Sequence, residues 1–591
     1  MAPLRISTSS NSDWLLFIVF LLLSLPGLSQ KAGDRLTPFE LSGGKASATY
    51  AEAIDWYVSL AEQYPAIRVS TVGQTDAGLP LHEVVIASQG HHDPARVAMT
   101  DKVVVLINNG IHAGEPDGID ASMMLARDLV STPAGLRLLE RTVVVIIPVY
   151  NVGGALNRGA PTRVNQVGPE AYGFRGNAAH LDLNRDFIKA DSRNALAFAA
   201  IFQEWQPEVF VDTHTTNGAD YPAAMTYIAT LASKAGSRTG PFLTQTLVPA
   251  LEARMQTLGS EMCPYVNAFD ASPDQGMAAF NDLPRYSSGY ASLFHCLAFI
   301  AEAHMLKPFD VRVKATSHFL RAVLEETWQR HLEIGRVVHE DRTGTMQARS
   351  YDVLWELDTL RRDSLLFHGY EAEMRPGALT GAPRVQYLRD RPYRRHIPWF
   401  PHYKPTVTVA APEAYYISQA CHEVIRRLEA NGVRLYTLER DTLLRVEATY
   451  ITEVGTSTRP WEGHFYHHTV KIRRERVLVP MRAGDRIAYV NQLANRYLVH
   501  ALEPESADSY FRWNFFDAWL SRKEYYSDYT FEAIAADFLK KNGEIRAEFE
   551  RRKQADAAFA ADPDAQLRWV YERSPYAEAS YRRLPVYRWN P

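Results

Sequence analysis

The segment INNGIHAGEPDG, Ile107 to Gly118, constrains this chain more than any other. Before it runs KVVVLIN, short and β-branched, which reads as a buried strand. After it, DASMMLARDL has helical spacing, with Pro116 and Asp117 near the helix start. The loop between them lies at the carboxyl end of a strand, where open α/β sheets place their ligands. His112 and Glu115 stand on that loop three positions apart, an imidazole and a carboxylate able to share one metal ion. PEVFVDTHTTNG repeats the geometry, a short β-branched run that ends in His214. Two histidines and a glutamate can hold zinc and leave one coordination position open. Each piece alone is a loose pattern. The chain has 19 histidines, and a strand-end histidine ordinarily serves as a hydrogen-bonded polar group.

Between the two pieces lies YGFRGNAAHLDLNRDF, Tyr172 to Phe187, and after them CLAFIAEAHMLKPFDVRV, Cys296 to Val313. H-x-x-E, an arginine, D-x-N-R, a strand-end histidine and a late strand-end glutamate follow one another in a fixed order. In that order the chain resembles the zinc metallocarboxypeptidases of the carboxypeptidase A and D type, from about Tyr50 to Val313. The resemblance implies a mixed α/β sheet between helical layers and one zinc ion held by His112, Glu115 and His214. It makes Glu302 the general base, Arg175 the arginine that polarises the scissile carbonyl, and Asn184 with Arg185 the pair that grips a terminal carboxylate. Asp182 becomes the acid that orients the first histidine. The family's substrate-closing tyrosine is less well placed: Tyr286, sixteen positions before Glu302, is the nearest candidate, with Tyr290 and Tyr265 as alternatives.

These roles suit the residue types. A carboxylate beside a nucleophilic water can collect its proton and pass it to the leaving amine. A fixed guanidinium stabilises oxyanion charge as it develops. A second arginine can bind a free carboxylate through two parallel hydrogen bonds. An aspartate on the far nitrogen of a ligand histidine fixes its tautomer. The bland readings are a surface turn for Arg185–Asp186 and loop composition around Arg175. Glu302 ends an apolar run, where an unpaired carboxylate is costly to bury. His295 and His304 are read as structural, and His180, before an expected LDLN strand, as solvated.

At 591 residues the chain is too long for one core. Hydrophobic residues make up 46% and charged residues 22%, which excludes wholesale disorder. A net charge of −4 gives no reason to expect a nucleic-acid or anionic-membrane partner. Arg5, the run WLLFIVFLLLSLPGL and the small residues Gly27-Leu28-Ser29 predict a signal peptide over 1–29, hence a secreted or periplasmic protein. The apolar run is shorter than the ~20 residues of a spanning helix, so no stable membrane insertion is expected after cleavage. An uncleaved signal anchor is the alternative. Cys263, Cys296 and Cys421 are too few for a disulfide framework.

Strand and helix patterns alternate up to a long amphipathic helix, predicting a catalytic domain over 30–340. A connecting region over 341–404 follows, in which RPGALTGAP and RDRPYRR read as turns and surface. A smaller mixed α/β or β-rich C-terminal domain of unknown role occupies 405–591. Its LEPESADS motif resembles a region of some larger bacterial relatives of the carboxypeptidases; Glu503, Glu505 and Asp508 read as surface and capping residues. The expected activity is zinc-dependent removal of residues from peptide or protein C-termini. The rivals are a related zinc amide hydrolase acting on N-acyl amino acids or cell-wall peptides, and a non-catalytic zinc-containing binding module.

Overall fold

The computed structural model describes residues 35–159, 162–216, 218–268 and 272–591. The expected signal peptide lies outside them. An eight-stranded sheet carries the site: β1 (Ile67–Gln74), β2 (Pro80–Ile86), β3 (Val103–Asn108), β4 (Thr142–Ile147), β5 (Val209–Thr216), β6 (Met225–Ala229), β7 (Met262–Pro264) and β8 (Leu297–His304). Their spatial order is β1-β2-β4-β3-β5-β8-β6-β7. Strands β4, β3, β5 and β8 pair in parallel, while β2 joins β4 and β6 joins β8 antiparallel. The mixed α/β fold expected from the sequence is the one observed.

The β-branched runs form central strands because both of their faces are buried, as continuous apolar runs require. Val103, Val105 and Ile107 of β3 enter one core, and Val104 and Leu106 enter the other. The first core is closed by helices α1 (Tyr50–Gln63), α2 (Asp117–Ser131) and the long α4 (Phe309–Thr345). The second holds Phe198 and Phe202 of α3 (Arg193–Trp205). It also holds Tyr415, Leu498 and Phe511, so the C-terminal region shares the core of the sheet rather than hanging from it. Residues 36–591 form one compact unit. Thr49 and Glu52 start α1 with a reciprocal capping box.

Beyond α4, Ser350–Leu357 pairs with Tyr403–Ala410, and Asp363–Pro376 pairs with Pro383–Phe400 in a long hairpin. RDRPYRR therefore lies within a strand, contrary to the turn expected. Most of its side chains are exposed on the hairpin, and that polarity imitates a loop. An antiparallel six-stranded sheet and helices from Asp528 to Tyr571 complete the chain. The expected LDLN strand is a 3₁₀ turn, Leu183–Arg185, because the Asp182 side chain accepts from the Asn184 N–H and caps it. Among the described residues no helix is long and apolar enough to cross a membrane.

Helix α2 begins immediately after Glu115 and is held close to β5. Asp117 pairs with fully buried Arg312 of α4 at 3.1 Å and accepts from the Thr215 hydroxyl. Gly118 is needed for this approach: a Cβ there would lie 1.9 Å from Thr213 Oγ1 and 2.6 Å from Asn109 Oδ1. Gly118→Ala is expected to lower stability by about 1–3 kcal/mol, the usual cost of overpacking. A thermal unfolding midpoint equal to wild type would refute this close packing.

Candidate active site

His112 and Glu115 sit between β3 and α2, and His214 and Glu302 sit side by side in β5 and β8, paired in register. Parallel strands that end together thus bring distant residues to one edge of the sheet. Nδ1 of His112 is 3.1 Å from Glu115 Oε1, and Nδ1 of His214 is 3.2 Å from Glu115 Oε2. Donor atoms of the three residues all lie within 4.8 Å of one another, and all three side chains are buried. A tetrahedral ion with bonds of about 2.0–2.2 Å separates its ligands by about 3.3–3.6 Å, so the spacing fits zinc with little adjustment.

The surroundings fit a cation too. His112 Nε2 is 3.0 Å from Asp182 Oδ1, and His214 Nε2 is 2.9 Å from Asp212 Oδ2. Each ring therefore has its far nitrogen held by an aspartate and turns Nδ1 inward, the arrangement typical of ligand histidines. Asp212 is fixed in turn by the Asn108 side-chain amide at 2.9 Å. Burial raises the Glu115 carboxyl, but the charges of His112 and Arg163 outweigh it and hold the group well below the usual carboxylate range. Burial lowers the His214 imidazole, but Asp212 first and Glu115 after it lift it well above the ordinary value. The cage favours positive charge at its centre.

A cavity of 590 Å³ opens onto these residues. Glu302, Arg175, Asn184, Arg185 and Tyr286 all line it. Burial pushes the Glu302 carboxyl up to about 7, with the charge of His214 pulling it down and that of Glu115 adding to the rise. Arg175 donates from Nε and Nη2 to Asp182 Oδ2 at 3.0 and 2.8 Å, and its Nη1 reaches within 3.6 Å of Glu115. Asp182 thus serves a histidine and an arginine at once. Those charges, His112 first, overcome burial and keep its carboxyl far below the ordinary range. The Arg185 guanidinium lies 4.7 Å from the Tyr286 ring. Tyr265 also lines the cavity, whereas Tyr290 is fully buried in the core with its hydroxyl on Asn431 at 2.7 Å. Tyr290 is therefore no substrate contact.

His304 is buried against Tyr221 with ring centroids 4.2 Å apart, His295 is buried in the interior, and His180 is exposed. None lines the cavity. Two residues near the cage were not anticipated. Asp212 stood two positions before His214, on the same face of its strand, and could have been found from that alternation. Arg163, whose Nη1 lies 2.8 Å from Glu115 Oε1, comes from an irregular loop and left no such signal.

Glu503 and Asp508 are not surface residues. Both are buried: Glu503 pairs with Arg474 and Arg588, and Asp508 pairs with Arg285 at 2.7 Å. Carboxylates in a turn-like motif read as exposed, and here the arginines brought by other segments, with the Tyr415 hydroxyl on Glu503, make burial tolerable. Glu505, partly exposed, also meets Arg474.

The zinc carboxypeptidase family model matches residues 53–221. Carboxypeptidase 2 of Trichophyton rubrum is 22% identical over 427 residues, covering 69% of this chain and 73% of that protein. Carboxypeptidase 2 of Trichophyton equinum is 21% identical over 425 residues, covering 69% and 73%. A metallo-carboxypeptidase structure from Burkholderia cenocepacia aligns with 48% of this chain and 70% of its own at 17% identity, with a TM-score of 0.36. The matched stretch runs through His112, Glu115, Asp182, Arg185 and His214, so residues 53–221 of this chain are similar to the zinc carboxypeptidase family over the part that carries the cage.

Proposed function

We propose that this protein hydrolyses the last peptide bond of substrates that carry a free C-terminal carboxylate. One observation carries the reading: Asn184 and Arg185 line the same cavity as the His112–Glu115–His214 cage and Glu302. A substrate tethered by its end carboxylate at Arg185 presents its terminal amide to the cage, and an internal peptide bond has no such tether.

In this reading His112, Glu115 and His214 hold one zinc ion. Zinc bound there supplies a Lewis acid that makes water nucleophilic near neutral pH. Glu302 accepts a proton from the attacking water and returns it to the leaving amine. Arg175, anchored on Asp182 through Nε and Nη2 with Nη1 at the edge of the cage, 3.3 Å from His112 Nδ1, stabilises the negative charge that develops on the carbonyl oxygen. Asp182 and Asp212 keep the two imidazoles in the tautomer that leaves Nδ1 unprotonated. Tyr286, whose ring lies along the Arg185 guanidinium, supports the arginine and covers the bound terminus. Export follows from the signal peptide over 1–29, and the catalytic portion is assigned to 30–340, with 341–404 connecting it to the C-terminal domain over 405–591. N-terminal sequencing of the mature protein checks the export step.

The test is direct. Purified protein is incubated with peptides bearing free or amidated C-termini, with and without chelator, and the products are read by mass spectrometry. Free-ended peptides should shorten stepwise, amidated ones should survive, and chelator should stop the reaction. Internal cleavage, or equal cutting of both peptide sets, would overturn the proposal. A second expectation concerns Asp212→Ala. Losing a carboxylate that orients a ligand histidine typically weakens metal binding about 10- to 100-fold. Competition with a chromogenic chelator measures this, and wild-type zinc affinity in the variant would refute the orienting role of Asp212.

A further inference from the structure

The C-terminal region reaches the cavity wall at two separate points. At the first, Glu462 Oε2 accepts the backbone N–H of Asp182 at 2.7 Å, across 280 residues of sequence. Asp182 is the hub of the turn, with its side chain on His112, Arg175 and the Asn184 N–H. Glu462 sits at φ +49°, in the left-handed region that favours glycine. Gly463 follows at φ +80°.

At the second point, Arg285 donates from its backbone N–H and its Nε to the two oxygens of Asp508, at 2.9 and 2.8 Å. Its guanidinium lies 4.7 Å from Trp461, 5.0 Å from Tyr466 and 5.1 Å from Trp513. Trp461 itself stacks on Trp513 with centroids 5.2 Å apart. The loop carrying Glu462 is therefore clamped on the segment that leads into Tyr286. Both margins of the carboxylate-gripping wall, Asp182–Arg185 and Arg285–Tyr286, are fastened to the C-terminal region.

We propose that Glu462 is a positioning residue for substrate binding: it fixes the turn that presents Asn184 and Arg185, so the C-terminal region sets the affinity for the substrate's end carboxylate. This rests on the exopeptidase reading above. The margin is fine, because displacing a positioning group by about 1 Å can cost on the order of 100-fold in rate. The full-length protein is compared as wild type, Glu462→Ala and Glu462→Gln. Glutamine keeps an oxygen that can accept the Asp182 N–H, and alanine does not.

Glu462→Ala should raise KM for a free-ended peptide about tenfold, the equivalent of one lost charge-assisted hydrogen bond. Its kcat should fall by less than KM rises, and its zinc content should stay at the wild-type level. Glu462→Gln should return KM to within about threefold of wild type, since an acceptor oxygen is kept and only the charge is lost. A Glu462→Ala enzyme with wild-type KM would overturn the proposal. So would a glutamine variant as impaired as the alanine variant while thermal unfolding shows it folded, since the acceptor oxygen would then be irrelevant. If alanine prevents folding, Glu462→Met, which fills similar space without an acceptor oxygen, takes its place and should raise KM as alanine would, and a wild-type KM in it would overturn the proposal. The two readings fail separately: wild-type protein that leaves free-ended peptides intact defeats the exopeptidase assignment, whereas cleavage indifferent to Glu462 defeats only this one.

Discussion

Glu302→Gln is expected to lower kcat by about 100- to 10,000-fold, the range that a positioned general base contributes. Glutamine matches the carboxylate in size and cannot accept the proton. It stands in β8 beside His214 and outside the cage, so zinc content and unfolding temperature should stay at wild-type values. That combination separates loss of chemistry from loss of structure. The same group sets a pH limb. Burial lifts its carboxyl to about 7, and the active form is the deprotonated one. Activity should thus rise with pH as the proton leaves and decline on acidification. The charge of a bound cation moves this limb lower, because it favours the carboxylate. In Glu302→Gln the acidic limb should vanish from the residual activity. If the variant turns over at the wild-type rate, Glu302 is not the base and some other group moves the proton.

The site was legible because its pieces are local. His112 with Glu115, the D-x-N-R turn and Glu302 each sit at the end of a short apolar run or in a compact turn. A parallel sheet then brings such ends together whatever the intervening sequence. Partners that work across the fold left weaker traces. Arg163 and Glu462 lie on loops whose composition is ordinary, and their importance comes only from what they touch. The same holds in reverse for Glu503 and Asp508. Their sequence context reads as surface, and their burial depends on Arg474, Arg588 and Arg285 arriving from elsewhere. Long helix α4 was plain from its amphipathic repeat. Strand β6, only five residues long, was not distinguished from its surroundings.

Arg185→Ala should lower kcat/KM for free-ended peptides by about 10- to 100-fold, since a hydrogen bond to a charged group is worth about 1.5–3 kcal/mol and 1.4 kcal/mol is tenfold. The diagnostic quantity is the ratio of activity on a free-ended peptide to activity on its amide. Wild type should discriminate strongly, and Arg185→Ala should discriminate little, because only the free-ended substrate loses an ionic partner. Arg185→Lys should fall between the two: it keeps the charge but not the planar fork that meets both carboxylate oxygens. Arg185 is not needed to hold the turn, since its Nη1 donates only to the adjacent Asn184 carbonyl and stays 3.8 Å from Asp182. Its removal should therefore spare zinc binding and stability. Tyr286→Phe keeps the ring that lies along the guanidinium and should preserve the discrimination. If Arg185→Ala retained full activity on free-ended peptides, the terminal carboxylate would be bound elsewhere and the protein would have to be read as an amide hydrolase of another specificity.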